Sequence, residues 1–331
     1  MLLPQEVSCS SYQQEQHPAL RLLQIMTSRS PEHDNDLDLC LKQIDELFDV
    51  QGMLERTVER DDIHHYYATN KRLQRLWSSD GLFHYGISYD GRFKKDDLRE
   101  QLRLVERHIR NIDASKVLEL GSGLGANSWF LAHRNPSVVF DAIDISNTPL
   151  QRYTSLPNLS FQFCDYHDLN VLRSSYDLVF IIEALCYSTD KPRVLREVKK
   201  VLRPHGKFVI FDGYRRRREA PLTQSEERMW GLIAKSFSVN EVEFVDDVEG
   251  YMQEEYSLKA AQDFSDYVLP SIMRFRPFVR FYFNHPRLGQ LTNRIMPFDG
   301  VKNTIHFLLL PIGLRGQTGC YHMHVLANDR P

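Results

Sequence analysis

The stretch VLELGSGLGANSWFLA, residues 117–132, constrains the fold more than any other part of the chain. An apolar run that suits a buried strand enters a glycine-rich turn and then a helical segment. The same alternation continues downstream. Strands are predicted at 116–120, 138–143, 159–163, 177–183 and 207–213, with helical segments between them, including one at 191–202. Apolar strands separated by helices require a mostly parallel sheet covered on both faces. The predicted fold class is therefore α/β, a doubly wound sheet. The alternating segment CYHMHVLAN, 320–328, supplies an antiparallel last strand, and the remaining helices form a cap.

The regions outside that alternation set the expected domain boundaries. Residues 1–60 read as an N-terminal helical extension and 61–112 as N-terminal cap helices. Residues 113–331 form the core, with helical cap insertions at about 215–254 and 266–319. Helices are expected at 96–112, 225–238 and 242–254, and a strand near 256–264. In the extension, Leu37, Leu41, Ile44 and Leu47 recur at helical spacing after a Ser30-Pro31 start signal. That stripe suits internal packing, or self-association into a homo-oligomer.

Bulk properties exclude several classes. A net charge of −3 gives no global field for nucleic acid. The longest apolar run, FLLLPI at 307–312, is far too short for a membrane span. The first residues lack a basic stretch followed by an apolar one, so no secretory signal is read. Cys9, Cys40, Cys164, Cys186 and Cys320 are widely spaced, with no CxxC pair. This fits a reducing compartment, so a cytoplasmic location is expected.

The ligand of the glycine turn can be narrowed. The turn reads Glu119-Leu120-Gly121-Ser122-Gly123-Leu124-Gly125, a GxGxG pattern, where a dinucleotide fingerprint has GxGxxG. An acid just before the turn disfavours a pyrophosphate and suits a ligand with a cationic amino-acid end. Asp144 lies 19 positions after Gly125, at the end of the next predicted strand, where an acid accepts from both ribose hydroxyls. Asp165 follows the third strand and can accept from an exocyclic adenine amine. Glu183 ends the fourth strand, and LRPHGKFVI leads into the fifth.

Over residues 116–214 these motifs, in this order and spacing, resemble class I S-adenosylmethionine-dependent methyltransferases, which have a Rossmann-like fold. The resemblance implies S-adenosyl-L-methionine as cofactor. Its cofactor-binding residues would be Tyr85, Glu119, Gly121, Ser122, Gly123, Gly125, Asp144, Ile145, Asp165, Tyr166 and Glu183. IIEALCYSTD and HHYYATN…LFHYG are similar to segments of sterol and tocopherol C-methyltransferases. Leu185 and Tyr187 depart from the sterol pattern, which points instead to the related prenyl-diphosphate C-methyltransferases.

That likeness implies methylation of an alkene carbon of a geranyl- or farnesyl-diphosphate-type substrate through a carbocation, followed by proton loss or cyclisation. Glu183, Tyr67 and His84 are the expected catalytic residues, and Arg215, Arg216, Tyr66 and Phe83 the expected substrate contacts. The run Arg215–Arg218, with Arg274, Arg276 and Arg280 among aromatics, would meet an anionic end. Two alternatives stand beside this: an O- or N-methyltransferase of a small secondary metabolite, and an inactive cofactor-binding partner subunit. No metal ligand set accompanies Glu183, so methyl transfer is expected to need no metal.

Overall fold

A computed structural model describes residues 31–77, 80–145, 153, 155–170 and 175–329, with backbone only for 31–35 and 72–77. The predicted cap residue Ser30 and Cys9 lie outside the described residues.

The alternation is realised strand by strand. The strands are β1 (Lys116–Leu120), β2 (Val139–Asp144), β3 (Leu159–Phe163), β4 (Tyr176–Ile182), β5 (Leu202–Arg215), β6 (Ser257–Asp263) and β7 (Gly319–Ala327). They form one mixed sheet in the order β3-β2-β1-β4-β5-β7-β6. β1 to β5 run parallel, and β7 lies antiparallel between β5 and β6. The first five strands match the sequence expectation closely, except that β5 begins earlier. Its LRPHG start joins the ladder through a register shift between Tyr176 and Leu178 of β4, where Pro204 cannot donate.

The helices follow from their stripes and caps. They are α1 (Pro31–Asp45), α2 (Val50–Glu55), α3 (Arg60–Trp77), α4 (Glu100–Asn111), α5 (Ala126–Arg134), α6 (Lys191–Val201), α7 (Gln224–Ser236) and α8 (Val245–Glu255). α9 (Ser265–Met273), α10 (Arg276–Asn284), α11 (Pro286–Ile295), α12 (Phe298–Val301) and α13 (Asn303–Arg315) complete the set. A 3-10 turn, Lys95–Arg99, opens the helix expected at 96–112. α6 begins where Asp190 accepts from the Arg193 N–H at 2.9 Å. α7 begins at a Thr223–Glu226 capping box. The FLLLPI run stays helical through Pro311 inside α13. No helix among the described residues is long and apolar enough to cross a membrane.

Period-two alternation splits the strands between two cores. Val117, Phe140, Leu178, Phe180, Val209, Phe211 and Tyr321 face one side, with Leu102 and Val105 of α4 and Leu131 of α5. Leu118, Ile143, Val179, Ile181, Phe208 and Ile210 face the other, with Val194 and Val198 of α6 and Val248 and Met252 of α8. Each such side chain, fully buried, contributes about 1.5–3 kcal/mol relative to exposure. Leu37, Leu41 and Ile44 of α1 join the first core, so this stripe packs within the chain. The cap combines distant segments: Tyr66 Oη in α3 donates to Asn303 Oδ1 at 2.8 Å, and Asn70 to the Asp299 carbonyl at 3.2 Å.

Candidate active site

The strand order reverses direction between β1 and β4, and the crevice at their carboxyl ends is where such sheets bind ligands. The glycine turn fills that position. Gly121, Gly123 and Gly125 have φ of 67°, 57° and 86°, a region that a side chain strongly disfavours. A Cβ on Gly121 would also sit 2.7 Å from Ala184 Cβ, whereas one on Gly123 would meet nothing within 4 Å. The turn is thus tight beneath and open above, as close approach of a ligand requires. Glu119 is buried under it and accepts from Asn127 Nδ2 at 3.0 Å, the Ser128 N–H at 3.1 Å and the Ser128 hydroxyl. Burial pushes its carboxyl up to about 7 against those donors. Glu119 therefore clamps the strand end to the start of α5.

Asp144 ends β2 as expected. Its Oδ2 accepts from the Gly123 N–H at 2.8 Å, and Lys71 Nζ approaches its Oδ1 at 3.7 Å. Ile145 is half-buried beside it. The Ser122 N–H bonds the Ile143 carbonyl at 2.9 Å, tying the turn to β2. The open space over Gly123 and the carboxylate at the β2 end fit an adenosyl ligand with a ribose diol. Asp165 accepts from the His167 N–H at 2.9 Å and pairs with Arg60 at 2.5 Å. His167 continues to Ser188 Oγ at 2.9 Å. The Tyr166 hydroxyl donates to the Ala184 carbonyl at 3.1 Å.

On the other side of the crevice stands Glu183. Its backbone is left-handed, with φ of 50°, a costly conformation for a residue with a side chain. Glu183 Oε1 accepts from the Tyr85 N–H at 2.8 Å and the Tyr321 hydroxyl at 2.8 Å. Burial raises its carboxyl to about 8, and these two hydrogen bonds oppose the rise. Gln101 Nε2 donates to the Tyr85 carbonyl and lies 3.4 Å from Tyr321 Oη. Four residues further along the chain, Tyr187 packs on Tyr67 with ring centroids 4.8 Å apart and on Tyr66 at 6.4 Å. His84 is buried, its Nδ1 lies 3.2 Å from the Tyr85 carbonyl, and its Nε2 has no hydrogen-bond partner. Burial lowers the imidazole to about 4, so it is neutral. Phe83 is half-buried next to it in the chain.

The arginines stand otherwise than a cationic rim requires. Arg215 pairs with Glu227 at 2.7 Å, Arg216 with Asp263, Arg217 with Asp247 at 2.7 Å and Arg218 with Glu226 at 2.5 Å. Arg276 and Arg280 share Asp36 at 3.3 and 2.8 Å, and Arg274 lies over the Phe93 and Phe275 rings. All but Arg274 are matched by acids that α1, α7, α8 and β6 bring to them. The aromatic run also divides: Tyr282 and Phe283 are packed into the cap core with Phe48, while Phe278 and Phe281 are exposed.

Several residues here had no individual signal in the sequence. Tyr321 is visible only as one member of an alternating strand. Lys71 sits in a polar helical stretch, and Gln101 in an ordinary amphipathic helix. Asp212 of β5, buried and pushed up to about 6 by that burial, accepts from the Cys186 N–H at 2.8 Å and so holds the segment after Glu183.

Comparison with known proteins agrees with this fold. Residues 118–208 match the family model of the methyltransferase domain. The chain is 28% identical over 161 residues to the methyltransferase GfsG of Streptomyces halstedii, covering 46% of this chain and 57% of that protein. It is 26% identical to 27-O-demethylrifamycin SV methyltransferase of Amycolatopsis mediterranei, over 62% of this chain and 77% of that one. In the first of these, and in two others at 51% and 46%, the chain spans about half the relative's length. The fold is similar to a putative sarcosine dimethylglycine methyltransferase of Galdieria sulphuraria, with TM-score 0.62, 16% identity, and 81% of this chain and 100% of that chain covered. It is also similar to a geranyl diphosphate methyltransferase solved with GPP and sinefungin, with TM-score 0.58, 15% identity, and 81% and 98% covered. The fold, the glycine turn and the matched family model identify the chain as carrying a class I S-adenosylmethionine-dependent methyltransferase domain, whose methyl donor is S-adenosyl-L-methionine.

Proposed function

We propose that this chain methylates a carbon atom of a small, largely apolar acceptor, with a prenyl or terpenoid substrate as the first candidate class. In this reading residues 113–331 are the catalytic core, and 61–112 with the later helical insertions close over it. The observation that carries the proposal is a half-buried carboxylate, Glu183, held by two hydrogen bonds four residues before Tyr187, whose ring packs on Tyr67 and Tyr66.

The bound cofactor supplies an electrophilic methyl group on a sulfonium. Glu119 and the glycine turn shape the pocket for its amino-acid end, and Asp144 takes the ribose hydroxyls. When an alkene carbon takes the methyl group, positive charge appears on the neighbouring carbon, and a proton must leave to restore neutrality. The faces of Tyr66, Tyr67 and Tyr187 support that charge. Glu183 accepts the proton. A carboxyl near 8 is close to ambient pH, where a general base is most effective, and a cation beside it favours the ionised form. The Tyr85 N–H and the Tyr321 hydroxyl hold the accepting oxygen in place.

A second reading has its own observation. His84 is neutral, buried and unpartnered at Nε2, which suits removal of a proton from a hydroxyl or amine acceptor during O- or N-methylation. The decisive experiment is incubation with S-adenosyl-L-methionine and a panel of geranyl and farnesyl diphosphates, their free alcohols, and phenols. The expected product gains one CH₂ unit through a new carbon–carbon bond. A methyl group found only on oxygen or nitrogen overturns the carbon reading. Since the arginines at 215–218 are already paired, the diphosphate and alcohol arms decide whether an anionic end matters.

A further inference from the structure

The two faces of β7 have different company. Tyr321 and Met323 belong to the core that meets Glu183, while Cys320, His322 and His324 point to the opposite face, toward α8. On that opposite face polar atoms are buried together without satisfaction. His324 is fully buried, and its Nδ1 has no hydrogen-bond partner. Neither ring nitrogen of His322 has one, nor does the buried hydroxyl of Tyr214, whose ring centroid is 5.5 Å from that of His324. Buried polar groups are rarely left in this way unless something else completes them.

We propose that His322, His324 and Glu249 form a site for one divalent transition-metal ion, Zn²⁺ being the best match. Two residues apart on a strand, the histidines share a face, and Glu249 of α8 reaches them from above. Glu249 Oε1 lies 2.9 Å from His324 Nε2 and 3.8 Å from His322 Nδ1. One ligand atom from each residue falls within 4.8 Å of the other two. A tetrahedral ion with bonds of about 2.0–2.1 Å needs its ligand atoms roughly 3.4 Å apart, so only small side-chain movements separate the present arrangement from coordination. Two imidazoles and a carboxylate are borderline donors that favour Zn²⁺ over Mg²⁺ or Ca²⁺. The fourth position falls to water.

Asp263 stays outside the ligand set. Its carboxylate is held by Arg216, by the Ser265 N–H at 2.8 Å and by the Ser265 hydroxyl, and it lies 3.8 Å from His322 Nε2. With the ion bound it would orient the His322 ring, as carboxylates commonly do behind metal-bound histidine. The ion would tie α8 to β6 and β7 at the antiparallel edge of the sheet. It would also lie beside Asp212, which is opposite His322 in the ladder and holds the Cys186 N–H.

The test uses the tag-free full chain, stripped with a chelator and dialysed against Zn²⁺, with metal content measured by elemental mass spectrometry. One equivalent per chain is expected, together with a rise in melting temperature on Zn²⁺ addition and visible absorption when Co²⁺ is used instead. Glu249→Gln and His322→Ala should weaken binding by about tenfold or more and abolish the thermal shift. Exposed His205→Ala should do neither. Far-UV circular dichroism confirms that the variants are folded. Absence of Zn²⁺ from the wild-type chain at micromolar free metal overturns the proposal without any variant. Unchanged affinity in both folded variants overturns it as well.

Discussion

The proposed donor and acceptor sides of the candidate site draw on very different lengths of chain. The donor side is local: Glu119, the three glycines and Asp144 come from β1, the turn after it and the next strand. The acceptor side gathers Tyr67, Tyr85, Gln101, Glu183, Tyr187 and Tyr321 from five separate elements and loops. A contiguous motif that reads a fixed ligand needs few residues and a strict backbone. A surface that meets a variable acceptor can be assembled by any helices that happen to close over it. The contrast accounts for a family-model match confined to residues 118–208.

The sharpest break between the two sides comes from Glu183→Gln. If the carboxylate takes the proton, initial rates should fall by about 10²–10⁴, the usual worth of a general base, with S-adenosylhomocysteine affinity nearly unchanged. Undiminished turnover moves O- or N-methylation ahead. The same variant tests the burial of the carboxyl. Folded Glu183 holds its proton up to about pH 8, from an ordinary value of 4.5. The stability it contributes is therefore full below about pH 4.5 and lost as pH rises through about 8. Denaturant melts should show the variant gaining stability relative to wild type across that window, by at most about 1.4 kcal/mol per pH unit.

Asp144→Ala is the reciprocal break. It should weaken S-adenosylhomocysteine binding by about 1.5–3 kcal/mol in calorimetry, the range for hydrogen bonds to a charged group. An unaffected affinity means that the ribose is held elsewhere. A smaller effect follows from Tyr321→Phe. Losing its donated hydrogen bond should cut turnover by about tenfold, or roughly 1.4 kcal/mol. The rate profile should also move to higher pH, because that bond favours the ionised carboxylate. A lower rate with an unmoved profile would reduce Tyr321 to packing. Smallest of all, Arg217→Gln should change stability by less than about 1 kcal/mol, since its pairs with Asp246 and Asp247 are exposed. It should leave turnover unchanged, unless the acceptor carries a diphosphate that displaces those acids.

What could be read from the chain follows the same division. Strand 116–120 falls where an apolar run predicts it, because a central parallel strand is covered on both faces. Strand 159–163 lies at the sheet edge with three of its five residues exposed, and its alternation is what marks it. Glu119, Asp144 and Glu183 could be singled out because each stands at or next to the carboxyl end of a strand. Tyr321, Gln101 and Lys71 were not, since their meaning arises only when distant elements meet. The arginine run was legible as charge but not as paired charge: Glu226, Glu227, Asp247 and Asp263 lie on later elements that folding brings to the same edge.

The strand order also carries a consequence for how the protein is made. β6 has one neighbour in the sheet, β7, and β7 follows every other described strand in the chain. Until about residue 327 has emerged, Ser257–Asp263 has no strand beside it, the edge of β5 is bare, and Glu183 lacks the Tyr321 hydroxyl. The first five strands can pair during synthesis, while the antiparallel edge and the acceptor side must wait for one late insertion between two older strands. Such non-local pairing is slow, and it leaves a vulnerable sheet edge during translation. A nascent chain stalled before β7 should therefore be an efficient substrate for chaperones, and one stalled beyond it should not.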